Sequence, residues 1–238
     1  MRRIILMVLR LIYIAPYYFY RIWKFGKAKE VDYDAAFSYI QMVTQKANHA
    51  GRVTIEVSGQ ENLPKESGFV MFPNHQGMFD VLVFLATCPV PFSFVLKKEV
   101  SNIILLKQVI AALGAIPMDR NDIRQSMQVI NQMTEEVKKG RNFLIFAEGT
   151  RSRKGNELLE FKGGSFKSAQ KAKCPIVPCA LIDSFVPFDR KSIRPVTVKL
   201  YYLPPMYYEE YKDMKTTEIA EEVKRRIEQK IAESISEN

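Results

Sequence analysis

Residues 68–80 read Gly68-Phe-Val-Met-Phe-Pro-Asn-His-Gln-Gly-Met-Phe-Asp80, and Val81, Leu82, Phe84 and Leu85 follow. A short apolar run closed by Pro73 has the pattern of a buried strand, the polar residues and Gly77 make a turn, and the apolar residues after Asp80 open a helix. In α/β sheets a strand-to-helix turn is where side chains face a ligand crevice. Outward from this segment the same alternation recurs. Strand-like runs lie at 52–57, 69–72, 92–96, 115–118, 142–146, 176–182 and 196–202, with helical patterns at 79–87, 100–113, 123–139 and 164–171 and a last helix after Thr216. In the 123–139 helix, Asp122 followed by Gln125 reads as a capping-box start, Ile123, Met127, Ile130 and Val137 share a face, and Gly140 ends it. The last helix repeats Ile219, Val223, Ile227, Ile231 and Ile235. The pattern predicts one α/β domain over 31–238, a mixed central sheet flanked by helices, preceded by a distinct segment at 1–30.

At 238 residues, with 47% hydrophobic and 26% charged, the chain has the composition of a packed fold, which excludes disorder. Three scattered cysteines and two histidines give no disulfide framework and no Cys/His metal site, so a reducing compartment and no structural metal are expected. Of the net charge of +9, seven units fall in residues 1–29, which hold no acid, and the remainder is nearly neutral. A nucleic-acid groove would need basic and aromatic side chains spread over the folded surface, so no nucleic-acid partner is expected.

The basic segment is also strongly apolar. Residues 4–23 as a helix would be about 30 Å long, enough to cross a bilayer, but Arg10 near the middle would cost roughly 2.5–3.5 kcal/mol. At 100° per residue Arg3, Arg10 and Arg21 fall within about 20° of one line, with Lys24 beside them. One polar stripe opposite a wide apolar face, with Tyr13, Tyr17, Tyr18, Tyr20 and Trp23 at headgroup level and a kink at Pro16, predicts an amphipathic helix pair lying in a membrane interface. The alternative is an amphipathic helix packed on its own domain. No small-residue cleavage site follows the apolar run, so the expected location is the cytoplasmic face of a membrane, monotopic or peripheral.

Three turns carry candidate chemistry. His75 and Asp80 could not meet on a regular helix, where five residues turn through about 140°, but on a loop-to-helix turn they can. The carboxylate would then fix the imidazole tautomer and leave the other ring nitrogen as a general base. Residues 142–153 are again a buried strand opening into a polar turn, with Glu148, Gly149, Thr150, Arg151 and Arg153 just past its end. Arginine, hydroxyl donors and a glycine suit a phosphate. Gly114 to Arg120 delivers a further arginine. Neither G-x-x-x-x-G-K-[ST] nor G-x-G-x-x-G occurs, so nucleotide hydrolysis and dinucleotide redox chemistry lack their usual scaffolds. His49, in a helical stretch before the first strand, is a bystander in this reading.

Asn74-His75-Gln-Gly-Met-Phe-Asp80, Gly114 to Arg120, Phe146-Ala-Glu-Gly-Thr-Arg-Ser152 and Ile176-Val-Pro-Cys179 resemble, in order and spacing, the four blocks of the 1-acyl-glycerol-3-phosphate acyltransferases, the PlsC-like glycerolipid acyltransferase family. The resemblance covers roughly residues 50–205 and extends to Lys97-Lys98-Glu99 and to Phe161-Lys-Gly-Gly-Ser-Phe166. Gly77 stands where the family usually has Ser, and Ala147 where it usually has Pro; both departures bear on substrate subtype.

The resemblance implies transfer of a fatty acyl group from an acyl thioester of coenzyme A or acyl carrier protein to the sn-2 hydroxyl of 1-acyl-glycerol-3-phosphate, giving phosphatidate. His75 and Asp80 would be catalytic, with no cofactor beyond the acyl-CoA or acyl-ACP co-substrate. For the substrate phosphate Arg151, helped by Glu148, Gly149 and Thr150, is the first choice and Arg120 the second. Lys97, Lys98 and Lys162 are possible contacts for the anionic donor. Leu105, Leu106, Ile110 and Leu113 are candidates for an acyl groove, with packing in the core the favoured alternative for them. Partners implied are membrane lipids, lysophosphatidate and the acyl donor. The alternatives are an acyltransferase for another lysophospholipid and a non-catalytic lipid-binding protein of the same fold.

Overall fold

The structure, a computed structural model, describes residues 2–236. Among these residues seven strands form one sheet: β1 (Val53–Ser58), β2 (Val70–Pro73), β3 (Ser93–Lys97), β4 (Ile116–Met118), β5 (Phe143–Leu144), β6 (Ile176–Ile182) and β7 (Val196–Tyr202). Their order is β1-β7-β6-β2-β5-β3-β4, and every neighbouring pair is parallel except β6 with β7. The sheet is therefore mixed, as the sequence predicts. β2 and β6 are buried throughout and lie in the middle, whereas burial alternates along the edge strand β1.

Strand side chains alternate between the two faces, and this builds two cores. Phe69 and Met71 join one cluster while Val70 and Phe72 join the other. Helices α1 (Arg2–Leu11) and α2 (Ala15–Lys27) precede α3 (Tyr33–Ala50), α4 (Asp80–Thr87) and α5 (Ile104–Leu113), and all five contribute to the first core. The second core lies beneath α6 (Ile123–Lys138), α7 (Lys167–Ala172) and the long last helix. Two short helices, α8 (Val186–Asp189) and α9 (Tyr208–Tyr211), precede that last helix, α10 (Thr216–Ser236).

The start of α6 differs from the predicted capping box. The Asp122 side chain accepts from the backbone N–H groups of Arg124 and Gln125, but Gln125 reaches past it, accepting from Asp119 N–H and donating to the Pro117 carbonyl. Half of the box forms, and the other half pins the turn that carries Arg120. Ile130 and Val137 are buried as expected, while Ile123 and Met127 are 79% and 52% exposed.

In the N-terminal segment the two helices meet at 95°, with Pro16 in the first turn of the second. No single helix among the described residues is long and apolar enough to cross a membrane. The arginine stripe is turned toward the domain. Arg3 is 1% exposed and donates to the carbonyls of Gly51, Arg52, Pro187, Ser192 and Arg194. Arg10 donates to the Ala50 carbonyl, and the Arg21 guanidinium lies over the Tyr39 ring. The carbonyls ending α3 lack intrahelical donors and carry partial negative charge, so they draw these cations inward. Ile5, Val8, Leu9, Ile12, Tyr13, Tyr17, Tyr20 and Trp23 are left facing outward.

Candidate active site

Because β2, β3, β4, β5 and β6 all run the same way, their C-terminal ends open on one edge of the sheet. That edge brings the His75 turn, Lys97 and Lys98, Arg120, the Glu148 turn and Asp183-Ser184 to the same side of the molecule.

The His75 turn is fixed by its neighbours. Asn74, itself buried, donates to the Leu181 carbonyl and accepts from the Leu181 N–H, extending the pairing of β2 with β6 through a side chain. Gln76 donates to the Leu181 carbonyl and to Asn156 Oδ1. The His75 backbone is held from the other side, where its N–H donates to Glu148 Oε1 at 2.6 Å and its carbonyl accepts from the Ser152 N–H. Two turns more than seventy residues apart in sequence are thereby locked together.

Within this frame His75 Nδ1 lies 2.7 Å from Asp80 Oδ2. Asp80 opens α4 and is fully buried, and its carboxylate also accepts from the N–H groups of Gln76 and Gly77 and from the Ser184 hydroxyl. A carboxylate oxygen accepts, so Nδ1 is the ring nitrogen that donates to Asp80, and Nε2 is the one left without this contact. Phe146 stacks on the imidazole at 4.0 Å between centroids.

Glu148 is 2% exposed, and its second oxygen accepts from the Leu159 N–H. Burial pushes its carboxyl up to about 7, partly offset by the N–H groups of His75 and Leu159. Both oxygens are committed to backbone donors, so this side chain shapes the turn instead of facing a ligand. Gly149 takes φ +73°, and a Cβ there would lie 3.0 Å from Lys162 Nζ. Arg120 donates from Nη1 to the Gly149 carbonyl. Thr150 is exposed, and Arg151 is half-buried with no hydrogen-bond or ion-pair partner among the described residues. Lys97 pairs with Glu99 and Lys98 with Asp119, both at the surface. His49 is exposed on α3, outside the cluster.

Beside Phe146 runs a groove of about 330 Å³. Met118, Ile123, Met127 and Ile130 are among its apolar lining residues, and the cations Arg120, Lys162, Lys167 and Lys171 line it as well. The residues read as an acyl groove from sequence lie elsewhere: Ile110 and Leu113 are buried in the first core, Leu106 packs against it, and the Leu105 side chain falls outside the described residues. Their helix faces the other side of the sheet. Ile123 and Met127, read from sequence only as sharing a helix face with Ile130 and Val137, line the groove beside Phe146; their position directly after the Arg120 turn was the signal that they belong to the site's edge. His75 and Asp80 line neither this groove nor a larger cleft of about 610 Å³ between α5 and α6; the groove is the one that contains Phe146, the ring stacked on His75. Ser184 was also missed, and its signal was its place just past the end of a fully buried strand.

The profile of the family described as Acyltransferase matches residues 54–182. A 1-acyl-sn-glycerol-3-phosphate acyltransferase of Borreliella burgdorferi is 33% identical over 132 residues, covering 56% of this chain and 52% of that protein. The protein of that name from Salmonella typhimurium is 31% identical over 165 residues, covering 69% of this chain and 67% of the other. The chain thus spans about half the length of the first relative and 41% of a Saccharomyces cerevisiae protein of the same name. Among solved structures, the 1-acyl-sn-glycerophosphate (LPA) acyltransferase PlsC from Thermotoga maritima matches with a TM-score of 0.73 at 26% identity, covering 97% of both chains. The matched profile runs from β1 through β6, more than half of the chain, and crosses the His75, Arg120 and Glu148 turns; the chain belongs to the acyltransferase family.

Proposed function

We propose that this protein transfers a fatty acyl group from an acyl thioester to the sn-2 hydroxyl of 1-acyl-glycerol-3-phosphate, giving phosphatidate. The observation that carries the reading is the His75–Asp80 pair, with Asp80 fully buried, next to a groove lined by both apolar and cationic residues and bounded by Phe146, which stacks on His75. His75 Nε2 takes the proton of the acceptor hydroxyl, and the oxygen attacks the thioester carbonyl. Collapse of the tetrahedral intermediate expels the thiolate, which receives that proton from the imidazolium. Asp80 holds the ring in the productive tautomer throughout, and no acyl-enzyme forms.

The lining of the groove supports Arg120 with Lys162 as partners of the acceptor phosphate over Arg151, with Glu148, Gly149 and Thr150 forming the turn behind them. A charge-assisted hydrogen bond of this kind contributes about 1.5–3 kcal/mol. Arg120→Ala is therefore expected to raise the acceptor KM by about ten-fold or more with a smaller change in kcat, measured by varying 1-acyl-glycerol-3-phosphate at saturating donor. The reading as a whole is tested by thiol release from a long-chain acyl-coenzyme A and from acyl carrier protein, with and without the acceptor. Acceptor-dependent release with phosphatidate as product supports it, and loss of activity when the phosphomonoester is replaced by a choline diester assigns the acceptor. Release of free acid without acceptor would make the protein a thioesterase.

The outward apolar face of α1 and α2 supports docking in a membrane interface, on the cytoplasmic side, where acceptor and product both reside. Tyr13 at the bend is fully exposed and Trp23 is 40% exposed. The chain lacking residues 1–30 is expected to lose most of its flotation with anionic liposomes; equal flotation of both forms would remove this assignment.

A further inference from the structure

We propose that Ser184 is a positioning residue of the His75–Asp80 pair, donating its hydroxyl proton to Asp80 so that the carboxylate keeps the orientation that holds the imidazole. This inference rests on the acyltransferase reading of the site. Ser184 Oγ lies 2.6 Å from Asp80 Oδ1 and 2.9 Å from Gln76 Oε1. Neither neighbour has a proton to give: the carboxylate accepts from three other donors, and Gln76 Oε1 already accepts from the Ser184 N–H while its amide nitrogen donates elsewhere. A hydroxyl has one proton to donate, and the shorter contact to the charged oxygen takes it.

The two oxygens of Asp80 are not equally supported. Oδ2 accepts from His75, from the Gln76 N–H and, at 3.0 Å, from the Gly77 N–H. Oδ1 has Ser184 and, at 3.1 Å, a share of the same Gly77 N–H. Without the serine hydroxyl, Oδ1 keeps only that divided donor. Both Asp80 and Ser184 are fully buried, so water does not stand in for it. The carboxylate is then held almost entirely through Oδ2, and any turn about its Cβ–Cγ bond carries the bond to Nδ1 with it.

The chain is built to hold this serine in place. Asp183 takes φ +59°, a left-handed residue at the end of β6 that folds the chain back over the His75 turn. Asn156 fixes that residue, accepting from its N–H and donating to its carboxylate, and also accepts from Gln76. Ser184 and the His75 turn are thus cross-braced through Gln76 and Asn156. Other charged groups around the turn are Glu148 on the far side of the His75 backbone and Asp189 of α8, whose carboxylate lies beside Gly77; neither donates to Asp80.

The test compares wild type, Ser184→Ala, Ser184→Thr and Ser184→Cys in the full chain. Steady-state kinetics use a long-chain acyl-coenzyme A and 1-acyl-glycerol-3-phosphate, and proton NMR of histidine-labelled protein follows the low-field Nδ1–H. With only two histidines in the chain, His49→Gln assigns the signal. Ser184→Ala is expected to lower kcat ten-fold or more with both KM values within about two-fold, and to weaken or shift upfield the His75 Nδ1–H resonance. Ser184→Thr, which keeps the donor, is expected to restore both. Should Ser184→Ala not fold, Ser184→Cys, close in volume but a weak donor, carries the same expectation. Wild-type kcat with an unmoved resonance in the Ala and Cys variants would overturn the proposal, as would an effect confined to KM. If wild type releases no thiol with either donor, the acyltransferase reading fails, while the resonance still decides whether Ser184 holds the pair.

Discussion

The His75→Ala protein is expected to stay folded and to lose acceptor-dependent turnover by a factor of about 10²–10⁴, the range that a positioned general base supplies. The fold should survive because the ring is only one of three ways this residue is held. Its N–H to Glu148 and its carbonyl from Ser152 are backbone contacts that alanine keeps, and the imidazole is 15% exposed at the edge of the core. Lost are the bond to Asp80 and the stacking on Phe146. Circular dichroism beside kcat separates the two outcomes: an unchanged spectrum with turnover reduced less than ten-fold would place the base on another group. Asp80→Asn should also fall steeply, since an amide at that position can donate to Nδ1 and select the wrong tautomer.

The second large effect is expected at Arg3, where replacement by methionine removes the donors for five backbone carbonyls drawn from the end of α3, from α8 and from the loop at 192–194. Burial lowers the pKa of this guanidinium, with the neighbouring Arg52 adding to the effect, and no carboxylate among the described residues pairs with it. Its stability comes from the carbonyl cage alone, and a net loss of about 3 kcal/mol is the scale for hydrogen bonds to a charged group. The loss should appear first as release of α1. Hydrogen exchange over residues 2–11 is expected to rise toward unprotected rates while β2 and β6 keep their protection. If α1 stays protected in Arg3→Met, then Met7 and Tyr18 packing holds the segment instead.

The parts of this molecule that could be read in advance were those governed by local pattern. All seven strands appear where apolar, β-branched runs predict them, because a buried strand must be apolar wherever it lies. The His75 turn was legible because a strand, a glycine-containing turn and a helix start are written in consecutive residues. What failed was anything decided by a distant partner. Periodicity gave the arginine stripe of residues 3–21 but not its direction, since a polar stripe can face solvent or the unpaired carbonyls of another helix. Ile123 and Met127 share the apolar face of α6 with buried residues, and periodicity does not separate a core face from a groove wall. Ser184 lies 104 positions from Asp80, and its one local signal, a place just past the end of β6, does not name that partner.

The inward-turned arginines of α1 also decide what kind of object meets a surface. A basic, apolar segment on a loose tether would have to become ordered on arrival, and each side chain fixed there would reduce the affinity. Here Arg3 and Arg10 fasten the helix to the end of α3, so the ordering is complete when the domain folds. The outward residues are presented by a segment already fastened to the folded domain. Under the proposed docking, a bilayer that received this face would set the height and tilt of the His75 edge at the same time.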